Sequence, residues 1–131
     1  MQNSQISFSH AEYAKKKKTT RREVFLEKME HVVPRARLVD LIEPYYPKGG
    51  GRGRPPIGIE RMLCMYCLQQ WYALADEAVK DAVYDSPALA SFMGIDRSRE
   101  SVPDSTTLTG FRHLLEANDL TRAMLVGVDP F

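Results

Sequence analysis

Apolar residues recur at helical spacing along most of the chain, and nowhere do they alternate over a length that a strand would need. The clearest run covers residues 59–74. Ile59, Met62, Leu63, Tyr66, Cys67, Trp71 and Leu74 share one face there, interrupted only by Gln70. Met65 and Leu68 widen that face until little polar surface remains, which predicts a central, mostly buried helix. Upstream, Thr20 and Glu23 form a T-x-x-E capping box, so a helix is expected to start near Arg21. Phe25, Met29, Val32 and Val33 give it an inward stripe, and Pro34 stops it. A second short helix is expected over residues 36–42, ending before Pro44.

Downstream, residues 76–85 place Ala78, Val79, Ala82 and Val83 inward. "SPALASFMG" reads as a short punctuated helix, with Ser86 as cap, Pro87 at its first position and Gly94 as its end. Residues 95–103 form a charged loop. Asp104 then caps a helix whose inward face is Leu108, Phe111, Leu114 and Leu115, with Asn118 expected just past its end. A last helix begins near Leu120 and is cut short by "VGVDPF". Two stretches lack any period: residues 1–14, and the Pro- and Gly-rich "EPYYPKGGGRGRPP" of residues 43–56. The pattern predicts an all-α fold, a compact bundle of about six helices.

Net charge changes the picture only when divided along the chain. The total is +1, but residues 1–63 carry 13 Lys and Arg against 7 Asp and Glu. Residues 64–131 carry 5 against 10. A basic first half suits an anionic partner, and "KKKKTTRR" packs six positive charges into eight residues. No apolar run is long enough to span a membrane, and no signal peptide opens the chain, so an intracellular soluble protein is expected. Cys64 and Cys67 form a single CxxC within an apolar helical block, while His10, His31 and His113 are scattered. Core packing is the expectation for both cysteines, because a zinc site needs two further ligands at suitable spacing.

Catalytic patterns are lacking. "GGGRGRP" has neither the preceding strand nor the Lys-Ser/Thr ending of a phosphate loop, and no nucleophile elbow or HExxH occurs. The carboxylates of residues 76–104 read mainly as a solvated face. Nucleic-acid contacts are better represented. Lys15, Lys16, Lys17, Lys18, Arg21 and Arg22 suit an arm that follows phosphates, against the alternative of a solubilising tail. Arg52 and Arg54 in Arg-Gly-Arg-Pro suit a minor-groove hook, against a turn that merely brings the chain into the next helix. Ser105, Thr106, Thr109, Arg112 and His113 form the polar face of a helix resembling a recognition helix, against an ordinary capped surface helix.

Three blocks, "LIEPYYPK", "QQWYALAD" and "PDSTTLTGFRHLLE", closely resemble the N-terminal region of DDE transposases of the insertion-sequence-five family (InsH-type). The resemblance runs from about Ser7 to Leu125. It implies a helical domain with helix-turn-helix-like elements that binds the terminal inverted repeats of a mobile element. In the full-length family an RNase H-like domain follows, whose three carboxylates hold two divalent metal ions such as magnesium. The resemblance leads one to expect the first of those aspartates beyond this chain. Asp129 falls too early and lacks the family's surroundings, and residues from about Val126 leave the family pattern as a truncation would.

The expected organisation is therefore a basic arm over residues 1–20, a helical DNA-binding domain over 21–125 and a divergent tail over 126–131. The chain is expected to be no enzyme by itself, to need no cofactor, and to work in the bacterial cytoplasm at the nucleoid. Duplex DNA at the element ends is the expected partner, and paired ends imply a homodimer or association with full-length transposase. A regulatory fragment that pairs with intact transposase, or a non-functional remnant, are the alternatives. The family tends to carry a Gly-Arg-Pro-Pro loop before its long helix, which gives residues 48–58 a structural first duty.

Overall fold

The computed structural model describes residues 20–48 and 56–127, and those residues are all-helical, without strands. Seven α-helices occur among them: α1 (Arg21–Val32), α2 (Arg35–Ile42), α3 (Ile59–Trp71), α4 (Asp76–Asp85), α5 (Pro87–Met93), α6 (Ser105–Ala117) and α7 (Leu120–Gly127). A single 3-10 turn over Glu43–Tyr45 lies where sequence pattern suggests only loop, because Pro44 fits the first turn of a tight helix. Lys15–Lys18, Arg52 and Arg54 lie outside the described residues, as does the end of the expected tail.

Helix α3 is the hub, packing against α2, α4, α5 and α6. Met62, Met65 and Leu68 on it have no exposed surface, and Leu63 and Cys64 are also buried. The buried line thus runs through Met65 and Leu68, and the face centred on Tyr66 and Trp71 is only half-buried. The helix also ends at Trp71, short of Leu74. Ala73 takes a left-handed φ of 52°. The Leu74 amide then reaches back to the Gln69 carbonyl at 3.0 Å, and that of Ala73 to Gln70 at 3.4 Å. Those two bonds make a Schellman stop, for which alanine gives no sequence signal.

Caps elsewhere follow the sequence. The Glu23 amide donates to Thr20 Oγ1 at 3.1 Å and the Glu23 carboxylate accepts from the Thr20 amide, completing the capping box. The Leu89 amide donates to Ser86 Oγ at 3.2 Å, Pro87 opens α5 and Gly94 closes it with φ 70°. Asn118 is the cap residue of α6 itself, one position earlier than expected, and Asp119 takes the left-handed φ of 53°. On α1, Leu26 and Val33 are buried while Val32 stays 44% exposed, because 100° per residue carries Val32 to the far flank of the stripe. Phe25 links α1 to the hub edge-on, its ring 5.3 Å from that of Trp71. The 95–103 segment is less open than a charged loop suggests, since Ile95 and Val102 are buried and the Val102 amide donates to the Tyr84 hydroxyl.

Denaturant titration checks two of these features. Met65→Ala removes a fully buried side chain from the hub and is expected to lower stability by about 2–5 kcal/mol. Ala73→Gly relieves the left-handed backbone and is expected to raise it by about 0.5–1 kcal/mol.

Candidate nucleic-acid interface

Helix α6 carries five of the residues singled out by sequence, and the structure divides them into two groups. Leu108, Phe111 and Leu115 are buried. The opposite side holds Thr106, Gly110, His113 and Ala117, all exposed. At 1.5 Å per residue this outward stripe is about 16 Å long. It contains no carboxylate, although Glu116 borders it. A Cβ built on Gly110 would meet nothing within 4 Å, so packing does not demand a glycine there. Ser105 is half-exposed at the start of the helix. Asp104 caps that start, accepting from the Thr107 amide at 2.9 Å and the Thr107 hydroxyl at 2.8 Å. Its carboxylate thus already stands where a free helix N-terminus would attract an anion.

Thr109 and Arg112 are turned the other way, onto Asp76. The Arg112 Nη2 and the Thr109 hydroxyl both lie 2.7 Å from Asp76 Oδ2. Gln69 Nε2 donates to Asp76 Oδ1 from the last turn of α3. The same Thr109 hydroxyl is 2.8 Å from the Ser105 carbonyl, so its one proton is shared between two acceptors inside the protein. The Arg112 Nη1 faces Glu116 at 3.6 Å. One carboxylate, its side chain 15% exposed, therefore joins α3, α4 and α6. Hydrogen bonds from Arg112, then Thr109 and Gln69, hold the Asp76 carboxyl well below the usual carboxylate range. Sequence reasoning misses Asp76 and Gln69, because the carboxylates after residue 76 have the pattern of a solvated face. Gln69 is 5% exposed, and its Oε1 has no partner among the described residues.

At the other end of the described chain, Arg21 and Arg22 are exposed in the first turn of α1. The Arg22 guanidinium lies over the Tyr72 ring, 5.0 Å from its centroid, so it is directed toward the turn between α3 and α4. Tyr46 and Ile57, flanking the Gly-Arg stretch, are joined by a hydrogen bond from the Tyr46 hydroxyl to the Ile57 carbonyl.

Two other features have the wrong character for phosphate. A depression of about 930 Å³ between α1 and α5 has Leu26 and Phe92 among its lining, with Glu23, Glu27 and Glu30 outnumbering Arg22. The outward face of α4 shows Glu77, Asp81 and Asp85. Burial pushes the thiols of Cys64 up to about 11 and Cys67 up to about 12, so both stay protonated at neutral pH and behave as packing residues. Among the described residues, no three His, Cys, Asp or Glu side chains are arranged to hold a metal ion, and no helix is long and apolar enough to cross a membrane.

Residues 12–114 match the family model described as "Transposase domain (DUF772)". No solved structure matches the chain.

The depressed Asp76 carboxyl has a consequence for acid stability. A group that titrates lower in the folded than in the unfolded chain stabilises fully above its unfolded value of about 4, and that contribution is lost as pH falls. Thermal melts from about pH 7 down to about pH 3 are expected to show wild-type stability dropping below about pH 5. Asp76→Asn is expected to begin less stable at neutral pH and to fall less steeply.

Proposed function

The chain belongs to the transposase-domain family, and from that premise we propose that it binds duplex DNA and recognises the terminal inverted repeats of an insertion sequence of the DDE type. The observation that carries this reading is the outward stripe of α6. It is the length of a groove contact, free of carboxylate and built of small or polar side chains. A major groove about 12 Å wide admits such a helix, and residues without bulk allow close approach. Gly110 supports the reading in a further way. An exposed glycine inside a helix costs about 0.5–1 kcal/mol relative to alanine, and the fold asks for none there.

In this proposal α4, α5 and α6 act as a helix-turn-helix-like unit with α6 as the reading helix. Thr106 and His113 are directed at base edges, and Ser105 at the adjoining phosphates. Arg21, Arg22 and the preceding Lys15–Lys18 supply sequence-independent phosphate contacts, whose strength falls with salt as counterions are released. Arg52 and Arg54 are the secondary, hook-like contacts. These helices contribute binding and no strand chemistry. The acid-walled groove between α1 and α5 favours a second reading, a docking module for a basic segment of another transposase copy.

Fluorescence anisotropy with a labelled terminal-repeat duplex and a scrambled duplex, each over a range of salt, tests both readings. Tighter binding to the repeat at every salt is expected. Alanine replacement of Arg21 and Arg22 is expected to weaken both duplexes alike and to reduce the salt slope by about one for each phosphate no longer neutralised. Gly110→Ala is expected to melt higher than wild type yet bind the repeat more weakly. A folded sample that binds neither duplex would favour the docking module.

A further inference from the structure

The junction at Asp76 assigns different work to two residues that the polar face of α6 would offer to DNA. We propose that Thr109 and Arg112 are positioning residues, which act with Gln69 through Asp76 to set the rotation and depth of α6, and that of the α6 side chains only Ser105 and those of the outward stripe touch DNA. The inference rests on the DNA-binding reading and deepens it by naming what gives the reading helix its selectivity.

Three observations carry it. First, both side chains are already engaged inside the protein. Arg112 Nη2 lies 2.7 Å from Asp76 Oδ2 and Nη1 faces Glu116, while the Thr109 proton is shared between Asp76 and the Ser105 carbonyl. A phosphate reaching Arg112 would have to share its charge with Asp76 and Glu116, which already surround it.

Second, the carboxylate stands where three helices meet. Asp76 opens α4, Gln69 lies in the last turn of α3, and Thr109 and Arg112 lie in the middle of α6. The apolar contacts of Leu108, Phe111 and Leu115 fix which face of α6 turns inward, but being non-directional they set its fine rotation less closely. Charge-assisted hydrogen bonds from a guanidinium and a hydroxyl one helical turn apart do fix it.

Third, Asp76 is shielded. Its side chain is 15% exposed and that of Arg112 29%, so the pair is less screened by salt than a surface pair would be. Rotation of α6 by even a fraction of the 100° residue step would shift Thr106, Gly110 and His113 relative to whatever they read.

The test uses the full chain, with a short duplex selected by the wild-type protein from a random-sequence library and a scrambled duplex of the same composition. Affinities are measured over a range of salt for wild type, Arg112→Ala, Asp76→Asn, Thr109→Val and the Arg112→Ala/Asp76→Asn pair, and each fold is checked by circular dichroism. Positioning predicts that Arg112→Ala keeps the wild-type salt slope but loses about tenfold or more of the preference for the selected duplex, the scale of one base-pair mismatch.

Asp76→Asn should lose preference similarly, although removing a negative charge would by itself favour DNA. The double variant should do no worse than the stronger single one. Thr109→Val, which removes one hydroxyl at nearly constant shape, should show a smaller loss in the same direction, and serves if either charge variant fails to fold.

A salt slope lower by about one in Arg112→Ala, together with tighter binding of both duplexes by Asp76→Asn, would overturn the proposal and make Arg112 a phosphate contact restrained by Asp76. Unchanged preference in Thr109→Val and in both charge variants would overturn it as well. Failure of the wild-type chain to bind or select any duplex would instead overturn the DNA-binding reading, and the positioning role with it.

Discussion

Met62, Met65 and Leu68 on α3 have no exposed surface, so most of a helix of 13 residues must be covered by others. That requirement organises the molecule. Helices α2, α4, α5 and α6 each commit a face to α3, and only their remaining faces are left to meet anything else. The hub itself is unsuited to chemistry, and its two thiols are held protonated by the burial that makes them useful as packing. Function is therefore displaced to outer faces, where charge distinguishes them. That of α4 is acidic, whereas the stripe on α6 is neutral and small.

Burial alone would leave the bundle loosely specified, since apolar contacts carry little direction. The polar junctions supply it. Asp76 joins three helices at one point. Arg61, in the first turn of α3, makes a similar join, reaching Glu100 at 2.6 Å and the Gly94 carbonyl at 2.9 Å. Arg35 adds a third, with Glu30 at 3.2 Å and its guanidinium over the Phe92 ring. Each uses an arginine, whose planar fork can serve two acceptors at once.

Much of this is legible in the residue order. Thr20, Ser86, Pro87, Gly94 and Asp104 mark helix ends by local chemistry, and the structure uses all five in that way. Two kinds of feature are not legible. The end of α3 depends on Ala73 adopting a left-handed φ, a conformation imposed by the way the chain must turn into α4 and not favoured by alanine itself.

The Asp76 junction is the other. Spacing on α6 correctly puts Thr109 and Arg112 on its polar side, but the carboxylate that faces them comes from 33 and 36 residues earlier. A charged residue at the start of a helix reads as solvated unless a second helix crosses it, and crossing is a tertiary fact. The outward stripe of Thr106, Gly110 and His113 needs no such knowledge, being the plain complement of Leu108, Phe111 and Leu115.

The bond between the Tyr46 hydroxyl and the Ile57 carbonyl sets a boundary condition on everything between them. It ties the residue that closes the 3-10 turn to the residue two before α3, so the bundle experiences the two as adjacent anchor points. Closing a loop between fixed ends depends only weakly on its length. Insertions, deletions or new basic residues between Tyr46 and Ile57 can therefore accumulate with little effect on α3. In evolutionary terms the clamp fixes the entry to α3 while leaving the chain length between its two partners free to change.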